Sequence, residues 1–187
     1  MSNGIEIIDN FLPDHLFEKT QEEILGNDFP WFVCNDIVNK SLGHIPTDKN
    51  YNWQLFHLFY YNPHEISRYF PLMDHLLVAI QPMMTLKIKA NLNPVSDKII
   101  EHGMHVDTYP YELAEMLTTS VFYLNTNNGY TVFEDGTKVE SVANRLVSFP
   151  ATTMHTGTTC TDEKYRAVIN LNYINRPVET RNHKNEI

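Results

Sequence analysis

The chain is short of cysteine, short of basic residues and without a long apolar run, and each shortage removes a class of protein. Its 187 residues include two cysteines, Cys34 and Cys160. Two is too few for a disulfide-stapled secreted scaffold, and their separation fits no metal-binding pattern, so both are expected as thiols in a reducing compartment. Lysine and arginine number 14 against 23 aspartates and glutamates, for a formal net charge of -9. A chain this acidic gains little from counterion release at phosphates, so no DNA or RNA partner is expected. No apolar stretch reaches the roughly 20 residues that span a bilayer. The opening Met-Ser-Asn-Gly-Ile-Glu lacks the basic start and apolar run of a signal peptide. The expectation is a cytoplasmic protein with no membrane attachment. No repeat, low-complexity tract or linker divides the sequence.

What is present suits an enzyme. A composition 42% hydrophobic and 20% charged is globular, and the length suits one domain, 1–187, with a core and a buried pocket. Ile5, Ile7 and Ile8 start a short strand. After Pro13, Leu16, Phe17, Thr20 and Ile24 share a helical face, and Leu72, Met73, Leu76, Leu77 and Ile80 repeat the helical spacing after Pro71. Between them, 27–62 shows no clear period and reads as an irregular lid or pocket wall. Its aromatics (Trp31, Trp53, Phe56, Phe59, Tyr60 and Tyr61) read mainly as core. Beyond Pro82 the period changes to two: Leu86, Ile88, Ala90 and Leu92 alternate with Lys87, Lys89, Asn91 and Asn93. Strand-like runs follow at 118–124, 130–133, 138–142, 145–149 and 165–174, separated by turns such as Asn128-Gly129 and Asp135-Gly136. The last of these turns carries no ligand series and is not a calcium loop. Helices followed by many short strands give an α+β class, with helix-rich support over 1–85, a β-sandwich or barrel over 86–175 and a polar tail over 176–187.

The chemistry concentrates in the β-rich part. His105 and Asp107 are separated by one residue, His155 follows 48 residues after the aspartate, and Arg166 follows 11 residues after that. On a strand, His105 and Asp107 point the same way and Val106 points into the scaffold. Two imidazoles and a carboxylate on one side of an ion are the set that binds non-haem iron(II) with positions left open. The chain has nine histidines, so the spacing alone also allows unrelated polar residues. His102 reads as a neighbour of the site or a surface residue. Arg166 starts an alternating strand in which Ala167, Ile169, Leu171 and Tyr173 share one face. Arg166, Val168, Asn170 and Asn172 share the other. An arginine pointing into a barrel needs an anion, such as a dicarboxylic co-substrate; at an exposed strand end it would pair with Asp162 or Glu163.

The ordered set resembles one family. His105-Val106-Asp107, then Thr119-Ser120-Val121-Phe122-Tyr123-Leu124-Asn125, Gly129-Tyr130-Thr131-Val132-Phe133, Asn144-Arg145-Leu146-Val147-Ser148-Phe149, His155 and Arg166 resemble the catalytic half of Fe(II)/2-oxoglutarate-dependent oxygenases, in the prolyl-4-hydroxylase-like branch. The likeness covers 86–175, with an echo at Ile8-Asp9-Asn10-Phe11-Leu12-Pro13. It implies a double-stranded β-helix, a jelly-roll or cupin-like barrel supported by N-terminal helices. It implies iron held by His105, Asp107 and His155, and the far carboxylate of 2-oxoglutarate held by Arg166 with help from Tyr123. Where relatives carry a tyrosine before proline, this chain has Asn93-Pro94, which makes Asn91 or Asn93 a candidate co-substrate contact. The implied reaction consumes O2 and couples decarboxylation of 2-oxoglutarate, to succinate and CO2, with hydroxylation of a peptidyl or small-molecule substrate. Two other readings stand beside it: a cupin-like metalloenzyme that does not use 2-oxoglutarate, and a non-catalytic binding module.

Overall fold

A computed structural model describes residues 4–35, 37, 51–107 and 114–176. Most of the expected tail, 177–187, lies outside the described residues. The long alternating runs become the two central strands, β5 (Met84–Pro94) and β11 (Tyr165–Ile174), paired antiparallel along their whole length. On the far side of β11 lies β6 (Thr118–Tyr123), then β9 (Leu146–Pro150), then β1 (Glu6–Ile8) at the edge. On the far side of β5 lies β3 (Gln54–Tyr61), which also pairs with β2 (Phe32–Cys34) and β4 (His64–Glu65). A second sheet of three strands, in the order β10 (His155–Gly157), β7 (Tyr130–Phe133), β8 (Lys138–Glu140), faces it. The segment Glu101–His105 adds to its β10 edge through two isolated bridges, Glu101 to Thr158 and His105 to His155. The result is the expected double-stranded β-helix, with helices behind one sheet.

The period-two pattern decides which side chains see which neighbour. Ala167, Ile169, Leu171 and Tyr173 of β11 join Ile88, Ala90 and Leu92 of β5 in a core beneath the helices. That core takes Phe17 and Ile24 from α1 (Asp14–Leu25) and Leu76 from α2 (Asp74–Ile80), with Met73 from a short 3-10 turn before it. The opposite face of the same strands lines the barrel, where Val121, Tyr123, Val147, Phe149 and Val168 meet Phe133 and Val139 of the small sheet. Burying Phe122 or Ile169, neither accessible, contributes roughly 1.5–3 kcal/mol each.

One expectation needs correction. The 27–62 stretch holds an eight-residue strand, β3, whose aromatic residues hide the alternation because both faces are apolar. Phe59 is fully buried there, while Trp53 and Tyr61 are exposed. Residues 38–50 of that stretch lie outside the described part. The echo at the N-terminus does structural work: Asn144, at φ 61°, accepts from Leu12 N at 2.9 Å and donates to Leu12 O at 2.7 Å, fastening the entry to α1 onto the barrel. Among the described residues, no helix is long and apolar enough to cross a membrane.

Candidate functional site

His105 N donates to His155 O at 2.9 Å and His155 N donates to His105 O at 3.0 Å. Residues opposite one another on an antiparallel pair project to the same face, and the two rings lie 5.0 Å apart between centroids. Asp107 follows at a bend, with its carboxylate 3.5 Å from His105 Nε2 and 3.7 Å from His155 Nε2. The three expected ligands therefore converge, with their donor atoms all within 4.8 Å of one another. The local geometry differs from the expected strand: the chain turns at Asp107, whose carbonyl accepts from Lys87 Nζ at 3.0 Å, and Val106 lines the cavity instead of the scaffold.

The donor set fits a divalent metal. His105 Nδ1 lies 2.9 Å from Gly103 O, and His155 Nδ1 lies 3.0 Å from Thr153 O. A carbonyl accepts only, so each Nδ1 carries a proton and each Nε2 is the atom that faces Asp107 and is placed to meet a metal. Among the described residues, nothing donates to Asp107 Oδ2, which is buried. Two neighbouring ligands about 2.1 Å from an ion lie about 3 Å apart, close to the spacings seen. Burial works to raise the Asp107 pKa, but the hydrogen bond from His105 and the charges of His155 and Lys87 outweigh it and hold the carboxyl well below its usual range. Burial works to lower His105, and the hydrogen bond and charge of Asp107 outweigh it and raise that pKa. For His155, burial prevails over Asp107 and the pKa falls. The two imidazoles share one carboxylate yet shift in opposite directions, because only His105 is hydrogen-bonded to Asp107 and the charge of His105 further lowers His155.

Arg166 lies in the same cavity, 2% exposed. Its Nε donates to Ser141 Oγ at 2.8 Å and its Nη2 to Thr131 Oγ1 at 3.0 Å, with its guanidinium 5.4 Å from the Tyr123 ring centroid. Those partners are neutral. The exposed-end alternative fails, since Asp162 accepts instead from Asn128 N. Among the described residues, Arg166 makes no ion pair. Glycines make room for it: a Cβ on Gly157 would lie 3.0 Å from its Nη1, and one on Gly129 would lie 2.7 Å from its Cδ.

Tyr123 is fully buried behind the cavity wall, and its hydroxyl donates to Thr131 Oγ1 at 2.8 Å. Thr131 thus accepts from both Tyr123 and Arg166, which leaves its own O–H to point elsewhere, and Thr131 lines the cavity. Asn91 and Asn93 both line the cavity too; Asn93 is paired with Arg166 in register and donates to Thr158 O at 3.3 Å.

Sequence reasoning passed over Thr131 and Ser141, although Thr131 sits in the quoted Gly129–Phe133 strand. His102, read as a neighbour of the site or a surface residue, is the former. Four steps separate Glu101 from His105 while three separate Thr158 from His155, so the segment carries one extra residue and bulges. The bulge turns His102 inward, where it is 5% exposed and lines the cavity, and among the described residues neither ring nitrogen has a hydrogen-bond partner.

No family profile matches the sequence, and no curated protein matches it. Solved structures do match in shape. A prolyl-4-hydroxylase from Pseudomonas putida is 18% identical with a TM-score of 0.58, over 94% of this chain and 95% of its own. A prolyl hydroxylase from Trichoplax adhaerens, in complex with a hypoxia inducible factor peptide fragment, is 17% identical with a TM-score of 0.63, over 93% and 84%. HygX from Streptomyces hygroscopicus, with nickel and 2-oxoglutarate bound, is 11% identical with a TM-score of 0.58, over 93% and 84%. At such identities the likeness is one of fold, and the fold of this chain is the double-stranded β-helix of the 2-oxoglutarate/iron(II) oxygenases, prolyl-4-hydroxylases among them.

Proposed function

We propose that this chain is an iron(II)- and 2-oxoglutarate-dependent oxygenase that couples decarboxylation of 2-oxoglutarate, to succinate and CO2, with hydroxylation of a small-molecule or peptidyl substrate in the cytoplasm. One observation carries the reading: a buried arginine with only neutral partners shares a cavity with His105, Asp107 and His155. A desolvated guanidinium is costly without an anion, and the far carboxylate of a dicarboxylic co-substrate supplies one bidentately. A cupin-like metalloenzyme without 2-oxoglutarate leaves that cation unexplained.

His105, Asp107 and His155 would hold the iron, which when bound supplies the oxygen-activating chemistry at its open positions. Arg166 and the Thr131 hydroxyl orient the far carboxylate, with Tyr123 bracing both from behind. Asn91 and Asn93 form the β5 wall along the co-substrate, and Val121 and Val168 keep that part of the cavity dry. A peptide bound to one structural neighbour keeps peptidyl substrates beside small molecules.

The test is anaerobic addition of iron(II) and then 2-oxoglutarate, following the visible iron-to-keto-acid charge-transfer band. The band should appear and saturate in the wild type. In Arg166→Ala it should need far more 2-oxoglutarate while iron still binds. Iron binding without a band in the wild type favours the cupin-like metalloenzyme, and absence of iron binding favours a non-catalytic module.

A further inference from the structure

One face of β5 presents Lys87, Lys89, Asn91 and Asn93 to the cavity. Its Asn93 end pairs with Arg166, whereas Lys89 pairs with Asn170. Four residues at about 3.3 Å each put those rows about 13 Å apart. A five-carbon co-substrate, with four bonds of about 1.5 Å, is too short to occupy both ends. The side chains diverge as well: Arg166 turns to Ser141 and Thr131, while Lys87 turns to the carbonyl of Asp107.

The lysine end has charge to spare. Among the described residues, Lys89 makes no hydrogen bond or ion pair; its Nζ rests 5.1 Å from the Phe56 ring centroid, and burial pushes its pKa down. Among the described residues, nothing donates to Asn170 Oδ1, which is buried. Among the described residues lining the cavity, three cations (Lys87, Lys89 and Arg166) face one acid, Asp107. A divalent metal and a dicarboxylate add equal and opposite charge, so a surplus of two positive charges persists with both bound. Such a surplus is unusual inside a chain of net charge -9; it concentrates anions at the cavity.

On the reading of the centre given above, we propose that Lys87, Lys89 and the Asn170 amide form an anion subsite that holds a carboxylate of the prime substrate beside the metal centre. The substrate class is then acidic, either a free carboxylic acid or an aspartate or glutamate side chain in a peptide. Lys89 supplies the charge, and Lys87 sets the distance to the metal, since the same amine grips Asp107.

The test uses protein loaded with nickel(II) and 2-oxoglutarate, so that Arg166 is already occupied. Acetate binding is followed by ligand-observed NMR, with acetamide as the neutral control, inorganic phosphate as a second anion and N-acetyl-aspartate N-methylamide as a stand-in for an acidic peptide. Acetate or the blocked aspartate should bind saturably, at least tenfold more weakly to Lys89→Gln, and recover with Lys89→Arg, while acetamide does not bind. The tighter of the two separates a free acid from an acidic peptide. The affinity for 2-oxoglutarate, measured first, should agree within twofold between the wild type and Lys89→Gln. Equal carboxylate binding by Lys89→Gln, binding of acetamide, or a preference for phosphate overturns the subsite. If the wild type fails to take up nickel and 2-oxoglutarate, the reading of the centre falls instead. The same titration in metal-free Arg166→Met protein then decides the subsite by the same criteria.

Discussion

His105 and His155 are partners through their backbones as well as their rings: they exchange both peptide hydrogen bonds, at 2.9 and 3.0 Å, and stand their imidazoles 5.0 Å apart. The bridge does not depend on either side chain. His105→Ala should therefore keep the bridge, the far-UV spectrum and a melting temperature within a few degrees of wild type. Its affinity for iron(II) or nickel(II) should fall by at least about a hundredfold, more than the loss of an outer partner of a ligand produces. Calorimetric titration checks this, and near-wild-type metal affinity would remove His105 from the ligand set.

Gly157 offers a gentler probe of the co-substrate end. A Cβ there would meet Arg166 first, at 3.0 Å from Nη1, so the guanidinium must shift by a few tenths of an ångström. Gly157→Ala should weaken 2-oxoglutarate by about tenfold, equivalent to about 1.4 kcal/mol, with metal affinity unchanged. Equal loss of both would mean that Gly157 supports β10 rather than Arg166.

The parts legible in the sequence are those where one face of a strand is apolar and the other polar. β5 and β11 announced their alternation, and with it the inward set Arg166, Val168 and Asn170. β3 was hidden because its Phe56, Phe59, Tyr60 and Tyr61 make both faces look alike, and β10 because three residues carry no period. His105, Asp107 and His155 were legible as an ordered spacing, but the bend at Asp107 depends on Lys87, 20 residues away. The sequence leaves open whether His102 joins the site's surroundings or the surface, because that turns on a one-residue register shift, which composition cannot reveal and which inverts a side chain's direction.

Asn144 tests the fold at a distance from the chemistry. Its left-handed backbone suits asparagine or glycine, and its amide makes two hydrogen bonds to Leu12. Asn144→Ala loses both features and should cost about 2–4 kcal/mol. Asn144→Gly keeps the backbone fit and should recover about 1 kcal/mol of that. Denaturant unfolding should rank the three as Asn, Gly, Ala; a glycine variant no better than alanine would show that the backbone conformation is not strained.

His102 makes one part of the acid sensitivity of the metal-free protein traceable to a single ring. Burial first, then the charges of Arg166 and His105, lowers its pKa to about 4 from an ordinary 6.5. Its folded pKa lies below its unfolded one, so the folded state resists taking up the proton. Stability on this account is complete above about pH 6.5 and is lost as the pH falls toward 4, reaching at most about 3 kcal/mol at the rate of 1.36 kcal/mol per unit. His102→Leu removes that proton site, and the leucine fits a position that is 5% exposed and makes no hydrogen bond through its ring. Urea unfolding of both proteins at pH 7 and pH 4.5 measures the difference directly. The variant should gain about 2 kcal/mol relative to wild type between those two values, while other acid-sensitive groups such as Asp107 cancel in the comparison. A difference that stays constant with pH would mean that the His102 ring takes its proton inside the fold as readily as outside it.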